Sequence, residues 1–377
     1  MKIFNHDIMM STLDANRGVH LFSGRALGLS SPGDKVQLHP DLMADWPMLR
    51  EHYARIGLEH SHDIIWDVAF EELAQQSPDE ISVYFFGHAF EYDSSDHNQG
   101  YARILRQLDG DWYKVVEYMN SKNNFVALAH QLGVPVPQTE CFESRTQLGN
   151  LEAFSYPCYV KRAVSDHGVG IFRCENSADL LDAVEQFPKD KPFQVQVEIQ
   201  ASAFLNLQYR VTSEGLTRAL VSEQILDGCV HGGNRYPTLH QPWHITDPMA
   251  QWMFEQGMRG TFGFDVAVAD FPTGPLYLAI ECNPRYNGSS YPTEIAARLN
   301  VPSWCSETLH TDCRQLADLS LDGLEFDPIT KTGVVLVNWG TIQAGKVTVL
   351  LAGSPVQQME LSQQIRHQWS RQPVAVS

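Results

Sequence analysis

Residues 276–292 read LYLAIECNPRYNGSSYP. As a strand, the stretch keeps Leu276, Leu278, Ile280 and Cys282 on one face and turns Glu281, Asn283 and, beyond Pro284, Arg285 to the other, since successive side chains alternate across the pleat. Side chains two residues apart on one face lie roughly 6 to 7 Å apart. Glu281 and Asn283 therefore bring hard oxygen donors together, a set that suits one or two Mg²⁺ ions, which also take phosphate oxygens. Arg285 continues the parity with a planar fork that fits a phosphoryl or carboxylate group. Asn287-Gly288-Ser289-Ser290 then breaks the strand, and a helix is expected to begin near Pro292, its first turn leaving free N–H donors. Such a turn serves as an oxyanion or carboxylate cradle or as an ordinary helix cap. A merely solvated strand face would alternate in the same way, so the partners of this stretch decide its meaning.

Upstream, Asp265 lies in the alternating strand FGFDVAV, and the turn at 270–275 separates it from Glu281. Lys161 lies on the strand-like FSYPCYVKRAV, which runs up to Ser165-Asp166-His167-Gly168-Val169-Gly170. A turn with two glycines lets backbone N–H groups converge on a phosphate, and a lysine from the leading strand adds a point charge, although hairpin turns share this pattern. FQVQVEIQ at 193–200 alternates apolar and polar residues and reads as a half-buried strand. In SKNNFVALAHQLGVPVP, Phe125, Leu128, Ala129 and Leu132 follow a helical period, with Ser121 as cap, Gly133 at the C-terminal turn, and Pro135 and Pro137 as stops. Lys122 then sits in the first turn, where the helix dipole disfavours a cation by roughly 0.3 to 1 kcal/mol. That cost suits either a surface lysine or one that holds an anion.

Composition narrows the field. A chain of 377 residues, 43% hydrophobic, has enough core for two or three lobes. Its net charge of −18 argues against nucleic acid or an anionic membrane as partner, because both need a basic footprint. Seven cysteines without CxxC spacing suit reduced thiols and a cytoplasmic location. No long apolar run marks a leader or a membrane span. The first 120 residues alternate short apolar runs (VHLF at 19–22, ISVYFFG at 81–87) with helical spacing at 42–56, as in a small α/β unit with a buried sheet. They hold no GxGxxG, and neither a Walker A nor a GxSxG motif occurs. Pro242 between His240 and His244 breaks the helical two-histidine metal pattern, and His60 and His62 lack neighbouring ligands. DGCVHGGNRYP at 227–237 reads as a glycine-rich loop whose His231, Asn234 and Arg235 face substrate or solvent, and 333–351 as a β-hairpin around Gln343-Ala344-Gly345.

Taken in order, the pieces between residues 110 and 300 resemble the ATP-grasp superfamily of ATP-dependent carboxylate–amine ligases. The resemblance implies an α/β (α+β) ATP-grasp fold: a preATP-grasp α/β domain at 1–120, a small lobe with a glycine flap at 121–204, a large lobe with the metal and substrate site at 205–325, and a C-terminal β-hairpin extension at 326–377. It assigns ATP to Lys122, Lys161, Gly168, Gly170 and the hinge Gln196, Glu198 and Ile199, with catalytic roles for Lys161 and Arg285. Mg²⁺, one or two ions with Mn²⁺ as an alternative, falls to Asp265, Glu281 and Asn283. The substrate falls to Arg285, Gly288, Ser289 and Ser290, with Arg235 from the second loop. No acid in 201–207 offers itself to a ribose, and Gln224 and Arg210 match no motif. The implied activity is amide or peptide bond formation through an acyl phosphate, on a small-molecule carboxylate and amine and within a homodimer. A carboxylase-type enzyme using bicarbonate and a non-catalytic ATP-binding protein are the alternatives.

Overall fold

Three sheets organise the residues that the computed structural model describes, namely 1–8, 18–66, 80–84, 105–165 and 170–370. At the N-terminus β1 (Lys2–Asn5), β2 (Lys35–Leu38), β3 (Asp63–Trp66) and β4 (Glu80–Val83) form a parallel sheet in the order β3-β2-β1-β4. Short apolar strands suit a parallel sheet because both faces are covered. The run VHLF is not one of these strands. It opens a 3-10 helix, Val19–Leu29, that buries Leu21, Ala26 and Leu27. An apolar run this short fits a buried helix as well as a strand, and its length alone could not separate them. Phe85–Gly87 of the expected strand lie outside the described residues.

The helix Lys122–Leu132 forms as its caps predict: Ser121 accepts from the Asn124 N–H, and Gly133 takes φ 68° at the C-terminus. Behind it stands a four-stranded antiparallel sheet of β5 (Thr139–Phe142), β6 (Cys158–Arg162), β7 (Ile171–Cys174) and β8 (Phe193–Val197), ordered β5-β8-β6-β7. The helix Ser177–Glu185 covers it, placing Leu180, Ala183 and Val184 against Phe142, Phe187 and Phe193. Alternation in β8 marks the right period but the wrong surroundings: Gln194 and Gln196 are as buried as the apolar face. Gln196 on the polar side lines the cleft and accepts from Lys161 Nζ instead of facing bulk water.

The large sheet holds eight strands: β9 (Ala203–Thr212), β10 (Gly215–Asp227), β11 (Val230–Tyr236), β12 (Gly260–Phe271), β13 (Gly274–Asn283), β14 (Trp304–His310), β15 (Gly333–Asn338) and β16 (Lys346–Ala352). Their order is β13-β12-β9-β10-β11-β14-β16-β15. Residues 230–236, expected as loop, are thus an interior strand. The glycines there answer to packing, since a side chain at Gly233 would drive into the Ser306 carbonyl oxygen on β14. Gly233→Ala is expected to cost about 2 to 4 kcal/mol through overpacking against backbone; a melting temperature unchanged within a degree would contradict this. The hairpin β15–β16 forms with Gly345 at its turn, and its strands complete the large sheet. They share one core with the N-terminal unit, where the Trp339 Nε1–H donates to the Gly24 carbonyl at 2.8 Å and the Tyr53 hydroxyl to the Leu336 carbonyl at 3.1 Å. Among the described residues, no helix is long and apolar enough to cross a membrane.

Candidate active site

A cleft of about 1000 Å³ opens where the lobes meet. Its floor is the antiparallel pair β12–β13, whose register sets Asp265 directly opposite Glu281. The sequence separation of these carboxylates is therefore a hairpin length, and the pair is a cross-strand neighbour pair. Asp265 Oδ1 accepts from Asn206 Nδ2 at 2.7 Å and from Gln224 Nε2 at 2.5 Å, while Oδ2 accepts from Asn283 Nδ2 at 3.2 Å. Gln224, which matched no motif, thus orients the acid from β10. Burial and the neighbouring Glu281 charge raise the Asp265 carboxyl well above the usual range. For Glu281 burial pushes upward too, but Lys122 and Lys161 outweigh it and hold the carboxyl below its ordinary value. The pair therefore keeps its negative charge on Glu281 and its proton on Asp265.

Two lysines meet this floor, Lys122 from the start of the helix Lys122–Leu132 and Lys161 from β6. Lys122 Nζ lies 3.1 Å from Glu281 Oε2 and donates to Ser165 Oγ at 3.2 Å. Its backbone N–H donates to the Ala163 carbonyl at 2.7 Å, which ties the helix start to the end of β6. Lys161 Nζ donates to Gln196 Oε1 at 2.7 Å. Burial, against the opposing pull of Glu281, brings the Lys161 ammonium down to about 8. Of the flap, Gly170 takes φ 76° and its carbonyl accepts from the Arg162 N–H at 3.2 Å; Gly168 lies outside the described residues.

Arg285 donates through Nη1 to Asn120 Oδ1 at 2.7 Å and reaches Asn283 Oδ1 from Nη2 at 3.4 Å. Asn120, which no sequence motif marked, has a buried Nδ2 without a hydrogen-bond partner among the described residues. Asn287–Ser290 form a self-bonded turn: Asn287 Oδ1 accepts from the Ser289 N–H at 3.0 Å and from Ser290 Oγ at 3.3 Å, and the Ser290 N–H donates to the Asn287 carbonyl at 3.0 Å. Ser289 Oγ is 2.7 Å from Ser222 Oγ. Gly288 leaves room for His231, as a Cβ there would come within 2.7 Å of His231 Cε1. Arg235 is elsewhere. It sits on β11 opposite Glu223, pairs with that carboxylate at 3.3 Å, and does not line the cleft. The reading of 227–237 as a loop hid this cross-strand partner. Arg210 likewise pairs with Glu294.

Along the other wall, Gln196, Glu198 and Ile199 line the cleft where β8 ends. The Glu198 carboxylate accepts from Arg173 Nε at 2.7 Å and from the Tyr159 hydroxyl at 3.0 Å. Its N–H donates to the Pro157 carbonyl at 3.0 Å. The Glu198 carbonyl and Ile199 N–H make no backbone hydrogen bond among the described residues, an acceptor and donor side by side at the cleft edge. Asp265 and Glu281, with Asn206 Oδ1 buried and unpartnered beside them, form an all-oxygen set carrying one more acid than its surroundings tolerate ionised. That set fits Mg²⁺.

The chain matches no family model. It is 24% identical over 234 residues to the arginine-specific large chain of carbamoyl phosphate synthase from Geobacillus stearothermophilus, covering 58% of this chain and 22% of that relative's length. Its structure is similar to N5-carboxyaminoimidazole synthetase from Staphylococcus aureus complexed with ADP, with a TM-score of 0.63 and 14% identity over 97% of this chain and 96% of the other. It is also similar to N5-carboxyaminoimidazole synthase from Aspergillus clavatus in complex with ADP and 5-aminoimidazole ribonucleotide, with a TM-score of 0.53 and 12% identity over 90% and 98%. Together with the two-lobed cleft, these likenesses establish that the chain has the ATP-grasp fold.

Proposed function

We propose that the cleft binds ATP with Mg²⁺ and uses it to activate a small carboxylate as an acyl phosphate, which an amine then attacks to form a C–N bond. One observation carries the reading. In a chain of net charge −18, two buried lysines, Lys122 from a helix start and Lys161 from β6, converge on the half-buried carboxylate pair of β12 and β13, with a buried arginine two residues beyond Asn283. Adenine binding alone gives no reason to set two acids face to face on the cleft floor, so a non-catalytic nucleotide protein fits less well.

In this reading the Glu198 carbonyl and Ile199 N–H hold adenine. Lys122 and Lys161 face the phosphates, with Gly170 after them in the chain. Asp265, Glu281 and Asn283 would hold Mg²⁺, which neutralises phosphate charge during phosphoryl transfer. Arg285, fixed by Asn120, directs its fork at the acceptor carboxylate. Gly288 lets His231 close in beside that carboxylate, whereas the Ser289 N–H and both Ser290 donors serve the turn itself, so these serines shape the cradle more than they contact the ligand. The γ-phosphoryl group passes from the bridging oxygen of ATP to a carboxylate oxygen, releasing ADP. The amine nitrogen then bonds to the carbonyl carbon, the C–O bond to phosphate breaks, and the amine loses a proton.

ADP release by the purified protein tests this with a panel of carboxylates and amines. If ATP-Mg²⁺ does not bind, or no pair stimulates ADP release, the proposal fails. Bicarbonate as the acid is the second reading, favoured by the likeness to proteins described as carboxyaminoimidazole synthetases. ADP release that vanishes in CO₂-free buffer and returns with added bicarbonate, at fixed amine, would select it.

A further inference from the structure

Arg25, on the 3-10 helix Val19–Leu29, lines the cleft from the N-terminal unit. It is 5% exposed, and its Nε and Nη2 atoms are buried without a hydrogen-bond partner among the described residues. Three rings pack around the guanidinium: its carbon lies 4.4 Å from the centroids of both Tyr84 and Tyr291 and 5.1 Å from that of Phe22. Ring faces stabilise the flat cation, but they leave the N–H groups at its edge unanswered. His6 does not answer them, because its ring nitrogens sit 2.9 Å from the Tyr291 hydroxyl and 3.0 Å from Ser82 Oγ. A second cation is close by, with Lys346 Nζ 5.5 Å from the Phe22 centroid. Arg285 shares the Tyr84 ring at 5.4 Å, so the Arg25 fork stands near Arg285 and the carboxylate position proposed for it.

We propose that Arg25 is the docking point for an anionic group, a carboxylate or a phosphate, carried by the amine substrate. The inference rests on the ligase reading for the identity of the ligand, while the anion site itself rests on the geometry of Arg25. A desolvated planar fork with free edge N–H groups takes such an anion in its plane, whereas an apolar chain end of similar size would leave those buried N–H groups unpaired. The amine would then be anchored at one end by Arg25, with its nitrogen reaching toward the activated carbonyl near Arg285.

The test is calorimetric titration of the full chain with inorganic phosphate and, separately, with acetate. Mg²⁺ and a non-hydrolysable ATP analogue are present at saturation, so that the triphosphate positions are filled. The wild type is expected to bind one of the two saturably, and the tighter one identifies the anion. Arg25→Met and Arg25→Lys, the second keeping the charge but losing the fork, are expected to weaken that binding at least tenfold while leaving nucleotide affinity within twofold. If Arg25→Met does not fold, Arg25→Lys carries the comparison. Equal affinity in wild type and variant, or no saturable binding of either anion, would show the aromatic box to be structural only and overturn the proposal. Failure of the nucleotide to bind the wild type would instead sink the ATP reading, and the same titrations without nucleotide would still decide on Arg25.

Discussion

Replacing Glu281 by glutamine is expected to reduce ADP formation by about a thousandfold or more, because it removes the charged member of the pair that faces the phosphates. Glutamine keeps the volume and one oxygen, so the loss reports charge and not shape. The fold should survive. Glu281 is the partner of Lys122 at 3.1 Å, and breaking a buried pair ordinarily costs about 3 to 5 kcal/mol. Here the second acid compensates. Asp265 is held protonated by burial and by the Glu281 charge, so with that charge gone it ionises more readily and supplies the lysines with a replacement. A net loss of about 1 to 2 kcal/mol follows. Carboxyl NMR of Asp265 should show its titration moving down in Glu281→Gln. ADP formation within tenfold of wild type at saturating Mg²⁺ would remove Glu281 from the metal set. An Asp265 titration that does not move would show the two acids to be uncoupled.

Much of this site was legible because period-2 patterns survive in sequence. Alternation in FGFDVAV and LYLAIECN identified two strands, and the turn between them fixed the face-to-face position of Asp265 and Glu281. Caps were equally readable: Ser121 and Gly133 bound a helix, and its first turn brings Lys122 to the cleft. What escaped were residues whose meaning lies in distant contacts. Gln194 and Gln196 look like a wet strand face, and only the assembled structure shows that this face is interior. Gly232 and Gly233 look like loop residues, yet Gly233 is demanded by the backbone of β14, more than seventy positions away. Asn120, Asn206 and Arg25 carry no local signature, since each is defined by partners that the fold brings to it: Arg285, the cross-strand Asp265 and an aromatic box. Arg235 erred in the other direction, because a basic residue beside glycines imitates a ligand loop until its register opposite Glu223 is known.

The second large effect belongs to Lys161, and it has a sign that separates binding from stability. Burial brings its ammonium down to about 8 in the empty protein, although Glu281 pulls the other way. A bound phosphate would favour the charged form and raise that value again. Nucleotide affinity should therefore be level below pH 8 and fall about tenfold per pH unit above it, as binding must take up a proton that the free protein has lost. Stability of the empty protein should move oppositely. The unfolded lysine keeps its proton to about 10.4, so between pH 8 and that value the unfolded state binds more protons and folding gains, by up to roughly 3 kcal/mol from this residue. Lys161→Met removes both effects. It is expected to weaken nucleotide binding about 10- to 100-fold at pH 7, as for loss of a charge-assisted contact, and hardly at all at pH 10, where the wild type has itself become neutral. Binding is measured in EDTA, so that metal uptake by the carboxylate pair does not contribute. Asp265 titrates in both proteins, so the difference between the two profiles isolates Lys161. Parallel profiles from pH 7 to 10 would show that the Lys161 charge does not meet the nucleotide. A difference that widens with pH would mean that its proton is released on binding, not taken up.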